Sequence, residues 1–162
     1  MKVIVKYLCL LSPHLGIVLI VLAMVLGHFY NWRGKAVLLP TDKTNVFITK
    51  KQEVKIVDYA LTLVQFNTTF YDSKALKSSE AIIAVEENDV TKTIVLSVNH
   101  PCKMGVGQDL YLTSYDNQQP EIPKFCVVEL VYDPFQGVFL VGIILVMTGI
   151  VNSAYLFWRH RK

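Results

Sequence analysis

The run Pro13-His14-Leu15-Gly16-Ile17-Val18-Leu19-Ile20-Val21-Leu22-Ala23-Met24-Val25-Leu26-Gly27-His28 decides how the rest of the chain is read. No polar or charged side chain lies between the two imidazoles, and the run with its flanks approaches the roughly 20 residues needed to cross a hydrocarbon core about 30 Å thick. An ionisable group in such a setting is costly, turns away from lipid where it can, and marks a functional site by default. At about 100° per residue His28 returns to within about 40° of the face that carries His14, roughly 21 Å further along the axis.

A second apolar stretch, residues 136–158, closes the chain, and residues 7–30 and 136–158 are nearly free of charge. All 13 acidic residues fall between Asp42 and Asp133. The composition is 52% hydrophobic over 162 residues, concentrated at the two ends rather than spread as in one soluble domain. The expected fold is therefore two transmembrane α-helices flanking an extracytoplasmic all-β, sandwich-like domain. Its boundaries are 1–30 for the N-terminal segment and first helix, 31–135 for the β domain, 136–158 for the second helix and 159–162 for a basic tail.

Lys2 and Lys6 precede the first span, and Arg159, Arg161 and Lys162 follow the second, so both ends read as cytoplasmic. Arg33 and Lys35 oppose this mildly, but a loop of about 100 residues crosses largely regardless of charge. The first span reads as an anchor rather than a cleaved signal, because its apolar stretch exceeds a signal's h-region and no small-x-small site follows it.

Along the chain, Ser12-Pro13 reads as a helix start or a kink. Tyr30 and Trp32 form an interfacial aromatic belt. After them the period changes from helical to alternating. Residues 55–66 are rich in β-branched and aromatic side chains, and residues 93–99 alternate, with Ile94, Leu96 and Val98 on one side. Asp72-Ser73, Lys77-Ser78-Ser79, Glu87-Asn88-Asp89 and Asp116-Asn117 are expected as turns. In the second span Gly142, Gly149, Ser153 and Ala154 offer small side chains at which another helix can approach, and that helix is expected from a partner.

The central segment holds 11 of the 16 basic residues against all 13 acidic ones, which gives no support for nucleic-acid binding. No catalytic constellation emerges there. Cys102 and Cys126 share the oxidising compartment, where a disulfide between them is allowed, although spacing alone does not bring them together. Cys9 reads as a buried or interfacial thiol. There is no Cys-x-x-Cys and no Cys-x-x-Cys-His, so the chain is not itself a c-type cytochrome. Asn67-Thr68-Thr69 matches a glycosylation acceptor and is discounted.

The segment from Val98 to Asp116, VNHPCKMGVGQDLYLTSYD, resembles the ResB (CcsB) family of cytochrome c biogenesis. The residues that carry the resemblance are Asn99, Pro101, Gly107, Tyr111, Ser114, Tyr115 and Asp116. His14-Leu15-Gly16 opening an apolar run, Trp32-Arg33-Gly34-Lys35, the middle residues Phe66, Phe70-Tyr71 and Ser78-Ser79, and Asp133-Pro134 followed by Gly142 fit the same pattern in order. The resemblance implies a subunit of the system II cytochrome c synthetase in the bacterial inner membrane, with the middle domain periplasmic. Its partners would be a CcsA-type membrane protein, apocytochrome c and the lipid bilayer. Its cofactor would be haem b, bound through His14 and with His28 as a second candidate ligand; no other metal is implied. A neutral imidazole is a common axial ligand to haem iron.

Against the family pattern this chain reads as a shortened form, without the helices that usually precede the histidine. With Trp32 and Trp158 as its only tryptophans it lacks the partner family's tryptophan-rich motif, so it is at most an accessory half of a synthetase. His14 has a plainer reading as a hydrogen-bonding or snorkelling side chain, and His28 as an interfacial one. His100 reads as a turn residue and His160 as part of the basic tail. The alternative functions are a haem-binding subunit of a respiratory complex and a structural anchor without cofactor.

Overall fold

The computed structural model describes residues 2–70, 76–116 and 125–160. The turn expected at Asp72-Ser73, Asn117 of the turn expected at Asp116-Asn117, and the tail residues Arg161 and Lys162 lie outside them. The chain divides into two compact units, residues 1–31 with 133–162, and residues 32–132.

The first unit is a pair of helices, α1 (Lys2–Tyr30) and α2 (Gln136–His160). Helix α1 does not start at Pro13 but runs through it. Proline has no amide hydrogen and its ring crowds the preceding turn. Here that ring is accommodated against α2, where a Cβ placed on Gly149 would overlap Pro13 Cδ. A Cβ on Gly16 would come 2.6 Å from the Gly142 carbonyl oxygen, and one on Gly142 would come 2.9 Å from the Gly16 carbonyl oxygen. Stepping back from Gly16 to Pro13 on α1 moves forward from Gly142 to Gly149 on α2, so the helices are antiparallel. Gly142 and Gly149 are thus occupied within the chain, by α1, whereas Ser153 and Ala154 remain exposed. Small residues let the backbones approach closely, which is how helices associate where water supplies no driving force.

Gly16 on α1 and Gly142 and Gly149 on α2 form the seam, and among the described side chains of the two helices these three, Ala23 and Gly27 are the buried ones. Around it both helices expose Leu, Ile, Val, Met and Phe, with only 17% and 11% of their most apolar windows buried. Both are long and apolar enough to cross a membrane. Asp133 starts α2: its carboxylate accepts the Phe135 amide at 3.2 Å, with Pro134 following the cap.

The second unit is one antiparallel sheet of eight strands rather than two stacked sheets. The strands are β1 (Trp32–Leu38), β2 (Thr44–Thr49), β3 (Val54–Phe70), β4 (Leu76–Glu87), β5 (Val90–Ser97), β6 (Cys102–Gly105), β7 (Gln108–Tyr115) and β8 (Cys126–Tyr132). Their spatial order is β5-β4-β3-β2-β1-β8-β7-β6. The chain builds one meander outward from β1 and returns on the other side through β8, which pairs with β1 from Trp32↔Tyr132 to Leu38↔Cys126.

The sheet curls until β5 lies against β6 and β7. Its inner face closes on one core that includes Leu38, Phe47, Leu61, Ile83, Leu96, Leu110 and Leu130. Register shifts at Thr44/Val46 in β2, Leu63/Gln65 in β3 and Leu112/Ser114 in β7 add the local bend and twist that such a curl requires. This is why an alternation that reads as a sandwich yields a single rolled sheet.

Asn88 and Asp89 form a two-residue hairpin turn with φ of 50° and 60°, the geometry that Asn and Asp tolerate best. Ser78 and Ser79, expected in a turn, lie instead within β4 opposite Thr69 and Thr68. The Thr69 and Ser78 hydroxyls bond across the strands at 2.7 Å, a use of small hydroxyls that a turn signal resembles. The strand expected over residues 93–99 ends at Ser97, and Val98 and Asn99 form the next turn.

Candidate functional site

Helix α1 places His14 and His28 away from its seam with α2. Relative to Gly16, His14 is about 160° around the axis, and His28 is about 100° from Gly27. Both are exposed. His14 is flanked one turn away by Leu11, Ile17 and Val18, all exposed. The imidazole therefore stands on an apolar helix face turned away from Gly16. His28 makes an edge-on contact with Phe29, ring centroids 5.3 Å apart. His14 and His28 lie on the same side of α1 and are not brought together.

The segment from Asn99 to Asp116 builds β6, β7 and the turns that bound them. Asn99 takes a φ of 66° in the turn after β5, where the His100 amide donates to the Ser97 carbonyl at 3.1 Å. Pro101 is exposed just before β6. Gly107 takes a φ of 68° in the β6–β7 turn, a conformation that strains any side chain. Tyr111 lies on the outer face of β7 opposite Glu129. At the bulge the Thr113 hydroxyl donates to the Val127 carbonyl at 3.0 Å and Ser114 points outward. The bulge returns Tyr115 to the inner face, where its ring lies 4.8 Å from that of Phe66. Asp116 is buried, and its amide donates to the Phe125 carbonyl at 3.1 Å. These positions shape and pin a hairpin; they do not converge on one point.

Cys102 and Cys126 are both free, so the disulfide that the sequence allows is absent. The register explains it. Cys102 is opposite Leu110 on β7 and Cys126 opposite Tyr115, so the whole of β7 stands between them and they are offset along it. Burial pushes the Cys126 thiol up to about 12. Only the thiolate reacts, so at pH 8 alkylation of Cys126 is expected to be about a thousandfold slower than that of an ordinary thiol. Iodoacetamide labelling of single-cysteine variants checks this, with Cys126 labelled only after denaturation.

The same shift makes the unfolded chain release the thiol proton first. Stability from this group is intact below pH 9 and falls as pH rises from about 9 towards about 12. Burial, helped by the Glu87 carboxylate, raises Tyr59 as well and adds to the loss in alkali.

The β unit also contains a cavity of about 270 Å³, walled by Trp32, Tyr59, Met104, Gln108 and Tyr132. The Trp32 and Tyr132 rings lie 5.9 Å apart, and the Tyr59 hydroxyl donates to Gln108 Oε1 at 3.2 Å, joining β3 to β7 across the curl. Sequence reading missed this group. Trp32, read in sequence as part of an interfacial belt with Tyr30, instead begins β1 opposite Tyr132, and this pairing depends on a register that spans the whole domain. Among the described residues no three His, Cys, Asp or Glu side chains are grouped to hold a metal ion.

Compared with known proteins, residues 2–125 match the model of the ResB-like family, from α1 to just before β8. No curated protein matches the chain.

Proposed function

The chain belongs to the ResB-like family, and from that premise we propose that it is the ResB-like subunit of a cytochrome c synthetase, assisting haem transfer across the membrane and its attachment to apocytochrome c. The family points to a role in cytochrome c biogenesis. The observation that carries the finer reading is His14, an imidazole on the outward apolar face of α1, opposite the glycine seam. Haem is the cargo of this reading, and His14 is the residue that would hold its iron from this chain's side. A CcsA-type membrane protein would supply the facing helix and the second ligand. In this account α1 and α2 span the bacterial inner membrane, both termini are cytoplasmic, and the β unit faces the periplasm, where apocytochrome c is met. His28 has the weaker claim, because the family resemblance falls on His14-Leu15-Gly16.

The test is covalent-haem staining of c-type cytochromes in a strain lacking this chain, complemented with wild type or with His14→Ala. Wild type is expected to restore the stained bands and His14→Ala to leave them largely absent.

A further inference from the structure

The cavity of the β unit takes no part in the proposed haem chemistry. At about 270 Å³ it falls below the roughly 300–1,000 Å³ of sites for drug-sized ligands, so it suits one side chain rather than a macrocycle. Three aromatic rings, Trp32, Tyr59 and Tyr132, line it together with the soft thioether of Met104. Two carboxylates, Asp58 and Glu87, contribute to its lining and are both exposed. No basic side chain lines it. Aromatic faces attract cations within about 6 Å of the ring centre, and carboxylates at the mouth add a charge that steers and fixes them.

We infer that this cavity is a cleft for the side chain of a lysine or arginine presented by a partner polypeptide, the alkyl stem against Trp32, Tyr132 and Met104 and the cationic head at Glu87 and Asp58. Glu87 is spoken for only loosely. Lys92 Nζ lies 4.0 Å from its carboxylate, with both side chains about half exposed, so the pair is screened by water and readily exchanged. The Tyr59–Gln108 hydrogen bond ties the cavity's opposite sides together and keeps it preformed. A phenol kept protonated by burial beside Glu87 leaves the carboxylates as the only anionic groups there.

The full chain in detergent carries its own reporter. With Trp158→Phe, Trp32 is the only tryptophan. Titration with α-N-acetyl-lysine methylamide is expected to change Trp32 emission saturably, with a Kd on the order of millimolar for one side chain. The acetyl-arginine amide should behave alike, and the acetyl-norleucine amide, equal in stem but neutral, should not saturate. Glu87→Gln is expected to weaken lysine binding about fivefold, and Lys92→Gln to tighten it by removing the competitor. Both sites are exposed, so neither change threatens the fold. Equal response to norleucine and lysine would make the cavity merely apolar and overturn the inference. So would unchanged binding in Glu87→Gln together with Lys92→Gln, or no saturable response to any lysine probe. Cytochrome c maturation does not enter these readouts, so they fail or succeed apart from the haem reading.

Discussion

Replacing Phe47 with Ala is expected to lower the unfolding free energy of the β unit by about 3–5 kcal/mol, a large part of the roughly 5–15 kcal/mol that holds such a domain folded. Phe47 is fully buried on β2, near the middle of the core that all of the curled sheet shares. It presses on Gly34 of β1: a Cβ there would stand 2.8 Å from Phe47 Cβ and 3.3 Å from the Trp32 ring. With no side chain at Gly34 to move in, the space left by the ring stays open, and the cavity cost adds to the lost burial. Denaturant unfolding of the full chain in detergent, followed by Trp32 emission in the Trp158→Phe background, measures it. A loss below about 1 kcal/mol would mean that Phe47 is not packed as described.

The second large effect falls on the helices. Gly142→Leu is expected to part α1 from α2, because its Cβ would meet the Gly16 carbonyl oxygen and the Ile20 amide nitrogen, backbone atoms that cannot rotate aside. Gly16→Leu attacks the same contact from the other side. Overpacking of this kind costs about 1–3 kcal/mol or more, and once the seam is open a second insertion finds it already open. Unfolding midpoints in detergent should fall for each variant, and the double variant should cost clearly less than the two added. Strict additivity would show that the residues do not share a seam. His14, on the far side of α1, is untouched by either change, so this pair separates packing of the hairpin from the outward face.

How far these features can be read from the chain depends on the range of the interaction behind them. The helices declare themselves through charge-free stretches long enough to cross a bilayer, and the small residues Gly142 and Gly149 announce a close approach. Which helix approaches is a tertiary fact: the glycines accept α1 rather than a foreign helix. Asn88-Asp89 is legible as a turn because positive φ at two successive residues is a local demand with few solutions. Ser78-Ser79 misleads because both residues lie within β4, where the Ser78 hydroxyl bonds to that of Thr69 across the strands.

The single rolled sheet was not legible, since it rests on β1 pairing with β8 across nearly the whole domain and on bulges that leave no distinct pattern in sequence. The absent disulfide and the aromatic cavity follow from the same register. Cys102 and Cys126 are separated, and Trp32 and Tyr132 joined, by strand order alone. At the helix, sequence found His14, but its outward direction is known only once the seam is located.

Covalent-haem staining of membranes and periplasm from a strain without this chain tests the central claim most directly. Loss of the stained c-type cytochromes is expected, with their return on wild type and on His28→Ala, and little or no return with His14→Ala present in the membrane at wild-type level. Unchanged cytochrome staining in the strain lacking the chain would contradict it.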